Sequence, residues 1–472
     1  MISLGCPKNL VDSEVMLGLA QQAGHELTQD PAQADVLVVN TCAFIDKAKQ
    51  ESIDAILEMA GYKTRGRCRR LIVAGCMAER YREALRAEIP EIDAVIGTGE
   101  VPEIVAAIGA AGPASRPPAY VPLLRANGEP VGSVARNLTP DAHRPPPPAL
   151  PTYLYDAETP RLLATPRHYA YLKIAEGCDY ACAFCIIPTL RGHYRSRPAD
   201  SILREAEMLA ARGVKELLLI SQDTTFYGVD RGERGALARL LRALARIDGL
   251  AWIRMLYLYP TTIGDDVLDV MSESDKVCRY IDLPLQHASD AVLKRMRRPG
   301  TRAGYERLLD RIRRRVPGVT LRTTFIVGFP GETETDVDEL QHFVETMQFD
   351  HVGVFTYSHE EGTTAYALAD GVPARTKRSR HARLMRAQQR MVARAQAARI
   401  GATVGLLVDG PSHEHELVLR GRTEGQAPEI DPLVYLTDCN PADIPPGTFL
   451  QADIVGSRDY DLVARPRSVN CP

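Results

Sequence analysis

Apolar positions in the first hundred residues follow two alternating patterns. DVLVVN (35–40) and RLIVAG (70–75) are short, β-branched runs bounded by turn residues, as in strands buried on both faces. VDSEVMLGLAQQAG (11–24) and DKAKQESIDAILEMAG (46–61) space their apolar residues helically, and each ends on a Gly suited to a C′ position. The alternation predicts a small α/β domain over residues 1–110, a doubly wound βαβ sheet. Only Met1 to Leu4 precede Gly5-Cys6-Pro7, fewer than the five or six residues of an ordinary strand. We therefore expect the natural chain to begin upstream of Met1.

Residues 111–165 break the pattern with many prolines, Pro145 to Pro148 in an unbroken run, and read as an extended linker. Strand–helix alternation resumes over residues 166–372. YAYLKIAEG, ELLLISQ, WIRMLYLY, YIDLPLQ, LRTTFIVG and HVGVFTYS are six strand candidates, with helical stretches such as 199–212 and 334–347 between them. Six βα units predict a parallel sheet curled into a partial (β/α)6 barrel. A helix-forming segment (373–400) follows, in which 374–400 hold eight Arg and Lys377 and no acid. Residues 401–467 then change to five short β runs with Gly/Pro turns, predicting a small antiparallel β-barrel of the oligonucleotide-binding type.

Composition narrows the class without naming a partner. Hydrophobic content of 45% with 25% charged residues is that of a globular protein, and a net charge of −3 gives no overall bias. No apolar run approaches the roughly 18 residues of a membrane span, and MISLGCPKNLVDSE lacks the pattern of a secretory signal. Ten cysteines without such a signal fit a reducing, cytoplasmic setting, where clustered thiols are metal ligands or catalysts rather than disulfides.

Cys178, Cys182 and Cys185 lie in one loop, GCDYACAFC, directly after the first barrel strand. In a parallel sheet that is the carboxyl end, where ligands gather. Three thiolates could hold three irons of a 4Fe–4S cube and leave the fourth open. A zinc site would need a fourth donor, with His193 the nearby candidate, and unrelated buried cysteines are the plainest alternative. Cys6, Cys42 and Cys76 lie about 35 residues apart, one βα repeat, each at or near a strand end. They could converge as a second trio, or each could be a small buried residue. Cys68, Cys278, Cys439 and Cys471 lack such placement.

CxxxCxxC with Phe184 before its last Cys resembles the radical S-adenosylmethionine enzymes, and both trios in this order resemble their methylthiotransferase family. The resemblance covers nearly the whole chain. It implies an N-terminal three-Cys domain, a radical S-adenosylmethionine domain and a C-terminal TRAM domain. SLGCPKNLVDSE, EGCDYACAFCIIPTLRG, SQDTTFYG, DLPLQHAS, VGFPGETE and GRTEGQAPEIDP are most similar to the branch that methylthiolates an aspartate β-carbon of small-subunit ribosomal protein twelve. By that resemblance the enzyme is a transferase of sulfur-containing groups with two 4Fe–4S clusters and S-adenosylmethionine as cofactors. The Cys178/Cys182/Cys185 cluster would generate a 5′-deoxyadenosyl radical and the Cys6/Cys42/Cys76 cluster would carry the sulfur. Cofactor contacts would come from Tyr180 and Phe184 and from other strand ends: Gln222, Asp223, Gln286, Gly328, Gly331 and Glu332. For Gln222, Asp223 and Gln286, capping or loop hydrogen bonding is the alternative. Arg191 and Arg195 could meet carboxylates or form a solvated face.

The related branch that modifies an adenosine of transfer RNA is the competing reading; a non-catalytic iron–sulfur RNA-binding or assembly factor is the third. Residues 403–465 hold four basic residues and eleven acids, a balance that repels phosphate and favours a basic polypeptide. The partners expected are thus the ribosomal protein, free or presented on the ribosomal particle, and an electron donor, with no membrane. The Arg-rich helix points the other way, toward ribosomal RNA.

Overall fold

The computed structural model describes residues 1–109, 150–412 and 417–467. The Pro145–Pro148 run, Glu414, Glu416 and Cys471 lie outside them. The described residues fall into two compact units that interleave along the chain: residues 1–109, 150–164, 175–202 and 358–366 in the first, and 165–174, 203–357, 367–412 and 417–467 in the second.

The first unit is built on a four-stranded parallel sheet in the order β1 (Ile2–Ser3), β2 (Val36–Thr41), β3 (Arg70–Gly75), β4 (Ala94–Ile96). Successive side chains of a strand face opposite ways, so β2 divides its labour. Val39 joins Ile53 and Ile56 of helix α2 (Asp46–Ala60) in one apolar core. Asn40, on the other face, donates from Nδ2 to Asn9 O and Ser13 Oγ of helix α1 (Pro7–Gln22), each at 2.8 Å. Helices therefore cover both faces, as the doubly wound pattern predicts. β1 has two residues, yet pairs in register with β2 (Ile2 with Val39, Ser3 with Asn40).

Helix α1 starts at Pro7, earlier than its apolar spacing suggests, because Pro suits the first helical turn. It is not amphipathic in the ordinary sense. Asn9, Asp12, Ser13 and Glu14 are buried along with Val11, Val15 and Met16. The Glu14 carboxylate receives Arg161 Nη2 at 2.6 Å and the Ala164 amide at 2.7 Å, so the described end of the proline-rich segment straps across α1.

In the second unit the barrel strands form two parallel triplets. These are β5 (Tyr169–Lys173), β8 (Glu216–Ile220) and β9 (Trp252–Met255), then β10 (Tyr280–Asp282), β11 (Thr320–Val327) and β12 (His351–Thr356). Leu258 N donates to Asp282 O at 2.9 Å between the triplets. The closing barrel has the order β13 (Thr403–Pro411), β14 (Leu419–Arg422), β15 (Val434–Leu436), β17 (Asp461–Pro466), β16 (Phe449–Arg458).

This small barrel contacts the amino ends of all six parallel strands, each through its first residue, and a cavity of about 1240 Å³ lined by Trp252, Thr320, His351, Gly425 and Phe449 lies at the junction. Tyr169 Oη donates to Glu429 at 2.9 Å, Glu216 receives Arg422 at 2.7 Å, and Tyr280 Oη donates to Asp431 at 2.6 Å. The Trp252 ring meets Phe449 edge-on at 5.0 Å, Thr320 packs on Gly425, and His351 Nε2 lies 2.9 Å from Gly425 O. Most of these partners belong to GRTEGQAPEIDP, of whose acids Asp431 is buried, Glu424 half-buried and Glu429 exposed. The charge count over residues 403–465 needs correction accordingly. Asp409, Glu424 and Asp431 are engaged by His168, Arg279 and Tyr280 and are not exposed, while Glu429 accepts from Tyr169 but stays exposed.

Four of the nine basic residues of the Arg-rich helix α5 (Ala374–Arg399) pair within its own unit, while Arg375, Arg378, Arg386, Arg394 and Arg399 are exposed. Arg380 pairs with Glu332 and Glu334, Arg383 with Asp338, Arg390 with Glu345 at 3.6 Å, and Lys377 with Asp370 at 2.8 Å. These acids lie on or near the last barrel helix (Glu334–Met347), not on the C-terminal barrel.

Candidate active site

The Cys178 loop belongs to the first unit. It is closed at its base by a two-stranded ribbon, β6 (Ala175–Glu176) with β7 (Arg195–Ser196), and by Cys178 N donating to Gly192 O at 3.1 Å. Within it, Cys185 N donates to Cys182 O at 3.1 Å and Ala365 N to Ala183 O at 2.7 Å. Short helix α4 (Ile187–Arg191) follows, with Ile186 and Leu190 in the same apolar core as Val73, Met77 and Tyr81. Tyr180 and Phe184 are half-buried on the loop. His193 is exposed and its Nδ1 lies 2.7 Å from Asp179 Oδ1.

The second trio is assembled by the sheet. Cys6 caps α1 after β1, Cys42 follows β2, and Cys76 opens helix α3 (Cys76–Glu88) after β3. Ser52 fixes the Cys42 backbone by accepting from its N at 3.0 Å and donating to its O at 2.9 Å. A Cβ on Gly5 would lie 2.7 Å from Cys42 Cβ and 3.1 Å from its Sγ, so the β1 and β2 ends are packed together. Burial pushes the Cys42 thiol up to about 12, and Cys76 and Cys6 add to it, as expected of neighbouring thiols.

One local device serves both trios. Gly5, Gly75 and Gly177 each stand directly before a cysteine, and their φ values are +90°, +90° and +88°. L-residues with a Cβ rarely adopt that region. At Gly177 the space is also filled, since a Cβ would overlap the His193 carbonyl oxygen, and at Gly75 it would lie 2.7 Å from Thr41 O. The signal was present in the sequence as three Gly-Cys pairs, at 5–6, 75–76 and 177–178.

Arg191 is the residue that sequence reasoning undervalued. It is not on a solvated face but 2% exposed. Nη1 donates to Asp12 Oδ2 at 2.6 Å and Glu176 Oε2 at 3.2 Å. Nη2 donates to Asn9 Oδ1 at 2.6 Å and reaches Cys76 Sγ at 3.6 Å. Burial alone would lower its pKa, but Cys76, Glu176 and Asp12 push it well above the usual range and keep it charged. Burial in turn pushes the Cys76 thiol up, and Arg191 offsets part of that. Arg195 is half-buried and donates to loop carbonyls, Arg191 O at 3.2 Å and His193 O at 2.5 Å, rather than to carboxylates.

The remaining predicted residues lie at the carboxyl ends of strands in the second unit. Asp223, wholly buried, caps the turn Thr224–Phe226 by accepting from Thr225 N at 2.9 Å and Phe226 N at 3.2 Å. Gln222 is half-buried beside it. Gln286 follows β10 with φ +76°, and Tyr257, which follows β9, has φ +60°. Non-glycine residues held there store strain of about 1–3 kcal/mol, a cost concentrated at functional sites, and sequence gave no sign of it. Gly328 (φ +79°) and Gly331 (φ +78°) shape the turn after β11. The Glu332 carboxylate is fully occupied: His287 Nε2 lies 3.1 Å from Oε1, while Gly328 N and Arg380 Nη1 donate to Oε2. Ser289 N donates to His287 Nδ1 at 3.0 Å, so His287 carries its proton on Nε2 and donates to Glu332. A part for this turn in cofactor binding would therefore run through its backbone.

The donors present suit iron–sulfur clusters. Each trio consists of thiols rather than disulfides, the ligand chemistry such clusters take. Among the described residues no three His, Cys, Asp or Glu side chains converge on a point that could hold one metal ion. A cluster instead spreads its thiolates over several irons.

A six-stranded parallel barrel with CxxxCxxC after its first strand defines a radical S-adenosylmethionine enzyme, and residues 172–344 match the Radical SAM superfamily. Residues 1–97 match the Uncharacterized protein family UPF0004 and residues 400–466 the TRAM domain. The ribosomal protein uS12 methylthiotransferase RimO of Trichlorobacter lovleyi is 47% identical over 464 residues, covering 98% of this chain and 97% of that one. Its counterpart in Solibacter usitatus is 49% identical over 465 residues, covering 98% and 93%. The chain belongs to the RimO family of ribosomal protein uS12 methylthiotransferases. Its fold is shared with a radical S-adenosylmethionine methyltransferase, TsrM, of Kitasatospora setae (TM-score 0.50, 17% identity, 75% of this chain and 72% of that one). Among the described residues no helix is long and apolar enough to cross a membrane.

Proposed function

We propose that this chain adds a methylthio group to the β-carbon of an aspartate in ribosomal protein uS12, using two 4Fe–4S clusters and S-adenosylmethionine. The observation that carries the reading is that one compact unit holds both cysteine trios, with Arg191 of the CxxxCxxC loop set against Cys76. Sulfur insertion at an unactivated C–H bond needs a hydrogen-abstracting radical and a separate sulfur donor, so two cofactor sites are needed. When bound, the cofactors supply one-electron cleavage of S-adenosylmethionine at one trio and a transferable sulfur at the other.

The chain's own residues bind and orient. Cys178, Cys182 and Cys185 hold the radical-generating cluster, with Gly177 and the β6–β7 ribbon fixing the loop that presents them. Cys6, Cys42 and Cys76 hold the second. Tyr180 and Phe184 on the Cys178 loop, and Gln222, Asp223, Gln286 and the backbone of Gly328–Glu332 at strand ends of the second unit, are each candidate contacts for S-adenosylmethionine. Substrate choice rests on the relatives rather than on charge, because the acids of the C-terminal barrel are partly spent on its own unit. The reaction runs in the cytoplasm with an external electron donor, on uS12 either free or in the ribosomal particle, which the separate arms of the test below distinguish.

The test is anaerobic reconstitution followed by separate incubation with uS12, small subunits and transfer RNA under reductant and S-adenosylmethionine. A methylthio mass gain on uS12 alone is expected, and gain on transfer RNA alone would overturn the assignment. Cys182→Ala should abolish 5′-deoxyadenosine formation, whereas Cys42→Ala should keep it and lose methylthio transfer.

A further inference from the structure

We infer that Arg191 is a positioning residue for the second cluster, donating an N–H···S hydrogen bond to the Cys76 ligand from the loop that carries Cys178, Cys182 and Cys185. The inference rests on the proposed two-cluster reading. Arg191 stands six residues after Cys185, at the end of α4, and its four Nη protons face four acceptors: Asp12, Glu176, Asn9 and Cys76. Asn9 is itself locked, donating from Nδ2 to Leu4 O at 2.9 Å and Thr41 O at 2.8 Å, the strand ends that lead to Cys6 and Cys42. The guanidinium thus has one orientation, and in it one N–H points at the sulfur.

A hydrogen bond to a ligand sulfur withdraws electron density and favours the reduced cluster, which raises the reduction potential. Lysine cannot reproduce the arrangement. Its ammonium has three donors on a flexible stem, and two carboxylates outcompete a sulfur for them. The bland alternative is that Arg191 only neutralises Asp12 and Glu176. Lysine would do that equally well, so the conservative substitution separates the two roles.

The experiment uses the full chain with Cys178, Cys182 and Cys185 replaced by Ala, so that iron reports the second site alone. Iron is counted and the midpoint potential read by electron paramagnetic resonance during redox titration, with and without R191K. Iron in the background variant and a lower potential in R191K are expected; loss of iron from a folded R191K supports the same placement. Unchanged potential with unchanged iron overturns the inference, while absence of iron from the background variant overturns the two-cluster reading beneath it. Should R191K unfold, the paired variant D12N/R191M, which leaves the local net charge unchanged, decides by the same two readings.

Discussion

Arg422 of the C-terminal barrel donates to Glu216, the first residue of β8, at 2.7 Å, and both side chains are wholly buried. Glu216 also receives Arg254 Nε at 2.7 Å, so one carboxylate holds two guanidiniums out of water. Removing one partner of such a group leaves buried charge uncompensated, at a cost of about 3–5 kcal/mol. Glu216→Gln should lower stability by that amount in chemical denaturation. A loss below about 1 kcal/mol would show that water already reaches the site.

Gly177 makes a sharper demand than any cysteine neighbour. Alanine there meets both an unfavourable φ, worth about 1–3 kcal/mol, and the His193 carbonyl. Gly177→Ala should cut iron bound by the Cys178 loop, measured in a Cys6→Ala, Cys42→Ala, Cys76→Ala background, while the cysteines themselves remain. Full iron occupancy in that variant would refute the role given to the turn.

Acid should loosen the C-terminal barrel through Asp409. Burial pushes its carboxyl up, but hydrogen bonds from His168 and Arg422 more than offset this and hold it below the ordinary range. The stabilisation is therefore full above the ordinary carboxylate value of about 3.9 and disappears as pH falls through the lower folded value. Thermal melts of Asp409→Asn should be lower than those of the parent at pH 6, and the gap should narrow toward pH 3. A gap that widens on acidification would reverse the sign of the argument.

Arg380 holds the turn after β11 through Glu332. Arg380→Ala should weaken S-adenosylmethionine binding about tenfold, or roughly 1.4 kcal/mol, by releasing the Gly328–Glu332 turn. Equilibrium dialysis checks this against iron content, which should not change. Unaltered binding would separate that turn from the cofactor.

Much of this was legible locally. Strand runs such as RLIVAG and the helix over 334–347 are short-range patterns, and β3 (Arg70–Gly75) and the helix Glu334–Met347 occupy those residues. The cysteines stood at strand ends because the βα period put them there. Partnership was not legible, because it depends on packing between distant segments. Arg191 was misjudged for that reason, although α1 carried a hint: Asn9, Asp12, Ser13 and Glu14 crowd a helix without a clean apolar stripe, which calls for buried polar partners. The acidic count over the C-terminal barrel failed likewise, since a charge total cannot tell an inward carboxylate from an outward one.

The contact with the six parallel strands has a consequence for biogenesis. The residues that meet their amino ends lie between Arg422 and Phe449, so a ribosome makes them after every strand they touch. Until then Glu216 lacks Arg422, and Arg254 lacks the Glu424 carbonyl that accepts from its Nη1 at 2.6 Å. Maturation is thereby ordered in time: a nascent chain interrupted before Arg422 leaves the Glu216 carboxylate without that guanidinium.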